Sequence, residues 1–579
     1  MGIFRAARLR SRIPHQENAP PALPQLTEPI SLRTPLALLV ISLGMIALVW
    51  WWLATPVMLA RAPIDPAAKL DCISYAPYRG EQNPLTPGLV IDRELIAADM
   101  AQLATISKCV RTYSTGNGLD QLPELAGKVG LKVLLGIWIG TSRLENTRQI
   151  ETAIGLVKDY PDTVSGVIVG SEVLLRREMT ASDLSKIIRS VKARVGVPVT
   201  YADVWEYWLS NREVSDAVDF VTIHILPYWE DFPIEARFAA AHIADIRKRT
   251  AAAFPDKEIL IGETGWPSAG RMREGALPSR TNQARIISEI LDLAKRENFR
   301  VNLIEAYDQP WKRQFEGTVG GNWGLMDASE RAVKYPIGVP VGDYPYWKMQ
   351  MGLGMGLSVL VFAAALFTPR RMRRTPGFAS WLAIALSATV AGTLLGLAAD
   401  KLVHESYSIG DWLRWGTLLA VGIAAPLLCA NALISRRALP TFIELMGPIA
   451  GRTRSIWSVM MGAALLVATL IGIETALGLV FDPRYRDFPL AALTMAVVPL
   501  SSVMVLNRPR LGSRPIAERL FAGLFVMAAL YIGFNEGRDN WQSLWTCAIY
   551  GLFGLTLWQA RAGQIPMSSP SDVDLSTTL

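Results

Sequence analysis

At 579 residues the chain is too long for one ordinary domain, and 51% hydrophobic residues with a mean hydropathy of +0.25 argue for membrane content. The net charge of +7 comes from arginine clusters beside apolar runs, a placement that argues for membrane topology and against nucleic-acid binding. The four cysteines show no CxxC or Cys/His spacing, so no metal site is expected.

Residues 1–34 are basic and Pro-rich, carry Arg5, Arg8, Arg10, Arg12 and Arg33, and read as a disordered cytoplasmic tail. Residues 35–60 are an apolar run closed by Trp50-Trp51-Trp52, which suits a membrane interface. Its one small-x-small site, Ala60-Arg61-Ala62, is followed by Pro63, so the run reads as an uncleaved signal anchor. Residues 61–345 form a water-soluble block that alternates strand and helix signals. Strands are expected at Asp71–Ala76, Cys109–Tyr113, Lys132–Trp138, Ser165–Gly170, Pro198–Ala202, Asp219–Ile225, Glu258–Glu263 and Val301–Tyr307. Helices are expected between them, among others at Asp92–Ile106, Glu145–Asp159, Ser182–Val195, Ile234–Ala253 and Thr281–Glu297. Eight strands alternating with helices make an α/β fold, a (β/α)₈ TIM barrel. Cys72 and Cys109 each open a strand, and a disulfide between neighbouring barrel strands is geometrically demanding.

Residues 346–560 hold seven further apolar runs, at 349–367, 378–399, 412–434, 456–480, 488–506, 518–534 and 541–558, an all-α transmembrane domain. Alternate loops carry Arg370, Arg371, Arg373 and Arg374, then Arg436, Arg437, Arg452 and Arg454, then Arg508, Arg510, Arg514 and Arg519. The intervening loops are short and mixed in sign, such as Asp482 to Asp487. The positive-inside rule then gives eight spans, both termini cytoplasmic, and the soluble block outside. Residues 561–579 are a second cytoplasmic tail.

Two buried strands end in glutamate. Val167-Ile168-Val169-Gly170-Ser171 leads to Glu172 at the end of the fourth, and Ile259-Leu260-Ile261-Gly262 leads to Glu263 at the end of the seventh. The C-terminal ends of barrel strands are where this architecture places its chemistry. A retaining glycosidase needs two carboxyl groups about 5–5.5 Å apart, one nucleophile and one acid/base. Glu263, in a polar turn with Gly265 and Trp266, suits the ionised nucleophile. Glu172 must hold a proton at neutral pH to act as the acid. Either glutamate alone reads equally well as an ordinary strand-end charge; the pair in register does not.

The stretch GETGWPSAG (Gly262–Gly270) resembles the nucleophile signature of glycoside hydrolase family 17, the β-1,3-glucanases and β-glucan transglycosylases. The likeness runs from about Asp71 to Pro336. It includes VIVGSEVL on the fourth strand, Tyr307-Asp308-Gln309-Pro310-Trp311-Lys312 on the eighth, and Trp323-Gly324-Leu325-Met326. The resemblance implies Glu172 as acid/base, Glu263 as nucleophile and retention of configuration. One departure is Ser171, where the family usually has an Asn that holds the sugar 2-hydroxyl. Multispan bacterial relatives imply a bacterial inner-membrane, periplasm-facing enzyme that remodels or β-1,6-branches the cell's own glucan, with a glucan synthase as a candidate partner.

Sugar rings present apolar faces and a hydroxyl rim, so strand-end aromatic and polar side chains are the expected contacts. Tyr75, Arg111, Tyr113, Ser171, Asp203, His224, Tyr228, Trp266, Tyr307 and Lys312 form the candidate substrate-binding set. Trp138 and Trp311 also reach strand ends, and Glu305 shares the inward direction of Tyr307. No cofactor is called for. Asp411-Trp412-Leu413-Arg414-Trp415 lacks the Gln of a processive glycosyltransferase, and Asp572-Val573-Asp574 sits in a Ser-rich tail, so neither supports a nucleotide-sugar reaction. Glu474 lies within a predicted span, where bonding to another helix is favoured over lining a glucan path. The expected partners are β-1,3-glucan or gluco-oligosaccharides and the lipid bilayer. A plain endo-β-1,3-glucanase and a non-catalytic glucan-binding or export component are the alternatives.

Overall fold

The computed structural model describes residues 32–57, 69–337, 339–369, 376–446, 455–482, 486–507, 515–538 and 540–559. Residues 1–31, the Ala60-Arg61-Ala62 site, the arginines at 370–374, 452–454 and 508–514, and the 561–579 tail with Asp572-Val573-Asp574 lie outside the described residues.

Helix α1 (Arg33–Leu53) leads into eight strands: β1 (Cys72–Ser74), β2 (Cys109–Arg111), β3 (Lys132–Ile137), β4 (Val164–Ser171), β5 (Val199–Val204), β6 (Val221–His224), β7 (Ile259–Thr264) and β8 (Val301–Leu303). Each pairs in parallel with the next, and β8 closes on β1 with Cys72 opposite Asn302, giving a closed barrel. Helices α2 (Arg93–Ile106), α3 (Leu122–Lys128), α4 (Arg143–Asp159), α5 (Ala181–Lys192), α6 (Trp205–Ser210), α7 (Ala236–Ala253) and α8 (Arg280–Glu297) pack around it, and a short α9 (Arg313–Glu316) follows β8. The local code is visible in α5. The Thr180 hydroxyl caps the Asp183 N–H at 3.2 Å, and Leu184, Ile188 and Val191 repeat at helical spacing and are buried.

Strand β8 is shorter than the sequence suggests. Beyond Leu303 the regular strand ends: Glu305 N–H donates to Trp323 O, while Ala306 N–H still reaches Ser74 O of β1. A separate cluster of Cys72, Leu134, Ile168, Ala202, Phe220 and Leu260, drawn from β1, β3, β4, β5, the residue before β6, and β7, fills the barrel at the end away from the mouth at the strands' C-terminal ends. Cys72 and Cys109 are bridged, with Cα atoms 4.3 Å apart, because β1 and β2 place them side by side.

The C-terminal half holds α10 (Trp347–Leu366), α11 (Phe378–Glu405), α12 (Ile409–Ser435), a short α13 (Phe442–Met446), α14 (Ile456–Phe481), α15 (Leu490–Leu506), α16 (Ile516–Glu536) and α17 (Trp541–Trp558). All seven expected apolar runs are helices. Among the described residues six helices, α1, α10, α11, α12, α14 and α16, are long and apolar enough to cross a membrane. The expected eight adds α15, which has 17 residues, and α17, which opens on Trp541-Gln542-Ser543. Glycine lets α10 and α11 touch: a Cβ at Gly354 would stand 2.0 Å from Gly392 O. Glu474 is paired with another helix, Arg414 lying 2.8 Å away.

The barrel sits mouth-side against one rim of these helices. Arg271, in the loop after β7, reaches Asp411 and Asp487, each at 3.2 Å, and Glu405 O at 3.2 Å. Arg486 N–H donates to Met272 O at 3.0 Å, and Asn540 Nδ2 donates to Glu274 O at 3.3 Å.

Candidate active site

Glu172 follows β4 directly in a left-handed backbone (φ 56°), its N–H bonded to Ala202 O at 2.7 Å. A non-glycine residue in that region costs about 1 kcal/mol or more, which the surrounding barrel must hold in place. The turn leaves the side chain 28% exposed, whereas the Glu263 side chain, near the end of β7, is 7% exposed. One oxygen of Glu172, one of Glu263 and one ring nitrogen of His224 all lie within 4.8 Å of one another.

His224 ends β6 and joins the two acids. Its Nδ1 is 2.7 Å from Glu172 Oε1 and its Nε2 is 3.6 Å from Glu263 Oε1. Arg111, fully buried at the end of β2, completes the set. Its Nη1 donates to Glu263 Oε1 at 2.7 Å and to Gly262 O at 2.9 Å, and its Nη2 donates to Ser171 Oγ at 3.2 Å. With a guanidinium already seated on Glu263, the trio suits charge and proton chemistry better than a resident cation. Tyr113 lies beneath the guanidinium, 4.6 Å from ring centre to Cζ, and its hydroxyl donates to Ser74 Oγ.

Electrostatics separate the acids. Burial alone would raise Glu263, but His224, Arg111, Lys312 and the Tyr113 hydroxyl together hold it below the usual carboxylate range. Burial instead pushes Glu305 up to about 7, although Lys312 Nζ lies 2.7 Å away. Burial also pushes Asp203 up to about 6, against a hydrogen bond from Tyr201.

The ten candidate substrate residues divide into two groups. Arg111, Tyr113, Ser171 and His224 gather around the glutamates, and Lys312 approaches through Glu305. The other five form a buried layer behind them. Tyr75 donates to Asp99 at 2.9 Å, and Tyr307 donates to Gln102 at 2.7 Å beneath the Arg331 guanidinium. Tyr228 donates to Arg271 O at 2.7 Å and Trp266 to Leu277 O at 3.0 Å, their rings edge-to-face. Asp203 accepts from Tyr201, from Val204 N–H and, at 3.4 Å, from Leu175 N–H in the turn after Glu172. None of these four aromatic rings is exposed. Trp138 is 37% exposed with Arg176 stacked at 4.3 Å, and Phe315 is 53% exposed. Asn302 was not singled out in the sequence, though its inward position on β8 was a signal. Its Nδ2 donates to Ser74 Oγ at 2.8 Å and to Gly262 O at 2.6 Å.

Residues 72–324 match the BtgE/BtgC glycoside hydrolase domain. The chain is 28% identical over 273 residues to a glucan 1,3-beta-glucosidase of Candida albicans, covering 43% of this chain and 88% of that protein. It is 30% identical over 306 residues to a probable glucan endo-1,3-beta-glucosidase (btgC) of Aspergillus clavatus, covering 46% of this chain and 42% of that one. Among solved structures, a Rhizomucor miehei beta-1,3-glucanosyltransferase mutant with laminaritriose is 25% identical, covering 47% of this chain and 98% of that one, at a TM-score of 0.42.

Proposed function

We propose that this glycosidase, whose residues 72–324 are a glycoside hydrolase domain of the family 17 type, cleaves β-1,3-glucan with retention of configuration. The observation that carries the reading is the carboxyl spacing. Glutamate oxygens within 4.8 Å suit direct attack and are too close for the water that an inverting pair must admit. Glu263, held ionised by its cationic neighbours, attacks the anomeric carbon. Glu172, fixed by His224, protonates the departing oxygen. A covalent glycosyl–Glu263 intermediate results, and Glu172, now a base, deprotonates the incoming hydroxyl that releases it. Arg111 holds both Glu263 and Ser171 Oγ, so the serine hydroxyl stands ready for the ring's 2-hydroxyl.

The incoming hydroxyl belongs to a second sugar in our reading, making the enzyme a transglycosylase that remodels or β-1,6-branches the cell's own glucan. Membrane attachment favours this over scavenging. Plain hydrolysis is the second reading, favoured by the names of the fungal relatives, which are glucosidases. The compartment proposed is the periplasmic face of a bacterial inner membrane, with eight helices spanning. The Cys72–Cys109 bridge supports an oxidising environment.

The test incubates the full-length protein in detergent with end-labelled β-1,3-gluco-oligosaccharides, beside Glu263→Gln, resolving products by mass, linkage and anomeric configuration. Longer or β-1,6-linked products, absent in the variant, are expected. Shorter products alone make it a hydrolase. Inverted products, or turnover that survives Glu263→Gln, overturn the mechanism.

A further inference from the structure

Beside the catalytic pair, the segment after β8 carries a run of side chains that leads out of the barrel. Lys312 bonds Glu305 at 2.7 Å, and Trp311, on the other side of the same turn, stands edge-to-face with Phe315, ring centres 6.3 Å apart. Phe315 is 53% exposed. One residue of that turn points to the helical half: Arg313 donates to Ser406 O at 2.6 Å and covers the ring of Tyr407 at 5.6 Å. Tyr407 sits in the connection between α11 and α12 and is 49% exposed. The position is fixed from the far side as well, since Asp411 accepts both the Tyr407 N–H and Arg271.

We propose that Tyr407, supplied by the helical half of the chain, continues the aromatic edge of Trp311 and Phe315 and holds sugar units beyond the one being cleaved. The helices thereby act as a specificity determinant for long β-glucan as well as an anchor. This rests on the β-1,3-glucan reading above. A linear glucan is the occupant because the row shares its turn with Lys312, which bonds Glu305 and whose charge acts on Glu263, is rimmed by the guanidinium of Arg313, and is built of rings of the kind that pack on the C–H faces of sugars.

The experiment compares kcat/KM on laminaritriose with kcat/KM on soluble laminarin for the full-length protein in detergent. Tyr407→Ala is expected to lower the long-to-short ratio about fivefold, in line with the ~1 kcal/mol of an aromatic contact. Tyr407→Phe keeps the ring and restores the ratio, which separates lost stacking from a disturbed loop. Ile409→Ala, two residues on and 80% exposed, keeps the wild-type ratio. A ratio unchanged in Tyr407→Ala, or one that falls equally in Tyr407→Phe, overturns the proposal. Wild-type protein inert on both substrates sinks instead the reading on which it rests.

Discussion

Glu263 is pulled in opposite directions by burial and by charge, and charge wins. Burial raises it, whereas His224, Arg111 and Lys312 bring it below the ordinary range. A nucleophile must be ionised, so the acid limb of the kcat/KM profile should lie below the ordinary glutamate value of about 4.3. Arg111→Met removes a buried cation of similar volume and should move that limb up by about 1 unit or more. A limb that stays in place would mean that another group sets it. Glu172 has a different signature. An acid matters in proportion to the basicity of the departing oxygen. Glu172→Gln should therefore lose about 10²–10⁴-fold on glucan yet far less on an aryl β-glucoside whose phenolate leaves unaided. Equal losses on both substrates would remove Glu172 from the acid's role.

At the scale of elements, the β1–β2 bridge is the feature that composition left open. Reading two strand-opening cysteines could not decide whether they met; the register that sets Cys72 beside Cys109 decides it. Unfolded, unreduced protein should show two reactive thiols, from Cys429 and Cys547, rather than four. Cys72→Ser with Cys109→Ser should cost roughly 3–4 kcal/mol in the barrel, as expected for closing a loop of this length. Four thiols in the first assay would refute the bridge. The barrel itself was legible because hydrophobic strands and amphipathic helices alternate with little insertion, and both glutamates ended strands. His224 was also visible as the one histidine on a strand, but its place between the acids needed β6 to sit beside β7. The aromatic candidates were harder. Tyr75, Tyr228, Trp266 and Tyr307 have the residue type of sugar platforms, yet they are buried and donate hydrogen bonds to Asp99 and Gln102 of α2 and to Arg271 O and Leu277 O after β7. Phe315 and Tyr407 carried no signal, since the exposure of a single side chain in a short helix or a connection cannot be read from periodicity.

For the whole molecule, the order of connections bears on how many helices cross. The connections α11–α12, α14–α15 and α16–α17 all reach the barrel, through Asp411, Arg486 and Asn540. The connections between them, α10–α11, α12–α14 and α15–α16, are the ones that hold the arginine clusters. On the eight-span reading proposed above, α15 and α17 run between the same two rims as the longer helices, and the alternation supports this for α15 even though it has only 17 residues. A helix of that length spans about 25 Å, somewhat short of a hydrocarbon core, and neighbours that bury it relieve the mismatch. Within α15, Leu493, Val497 and Leu500 are fully buried among other helices rather than left to lipid. Single cysteines at Ile409 and Arg519, in a chain lacking Cys429 and Cys547, test the parity in intact cells. A membrane-impermeant maleimide should label the cysteine at 409 from outside and the one at 519 only after permeabilisation. Labelling of both from outside would break the alternation and, with it, the eight-span arrangement, because α12, α14 and α15, the helices between the two positions, could not then all cross.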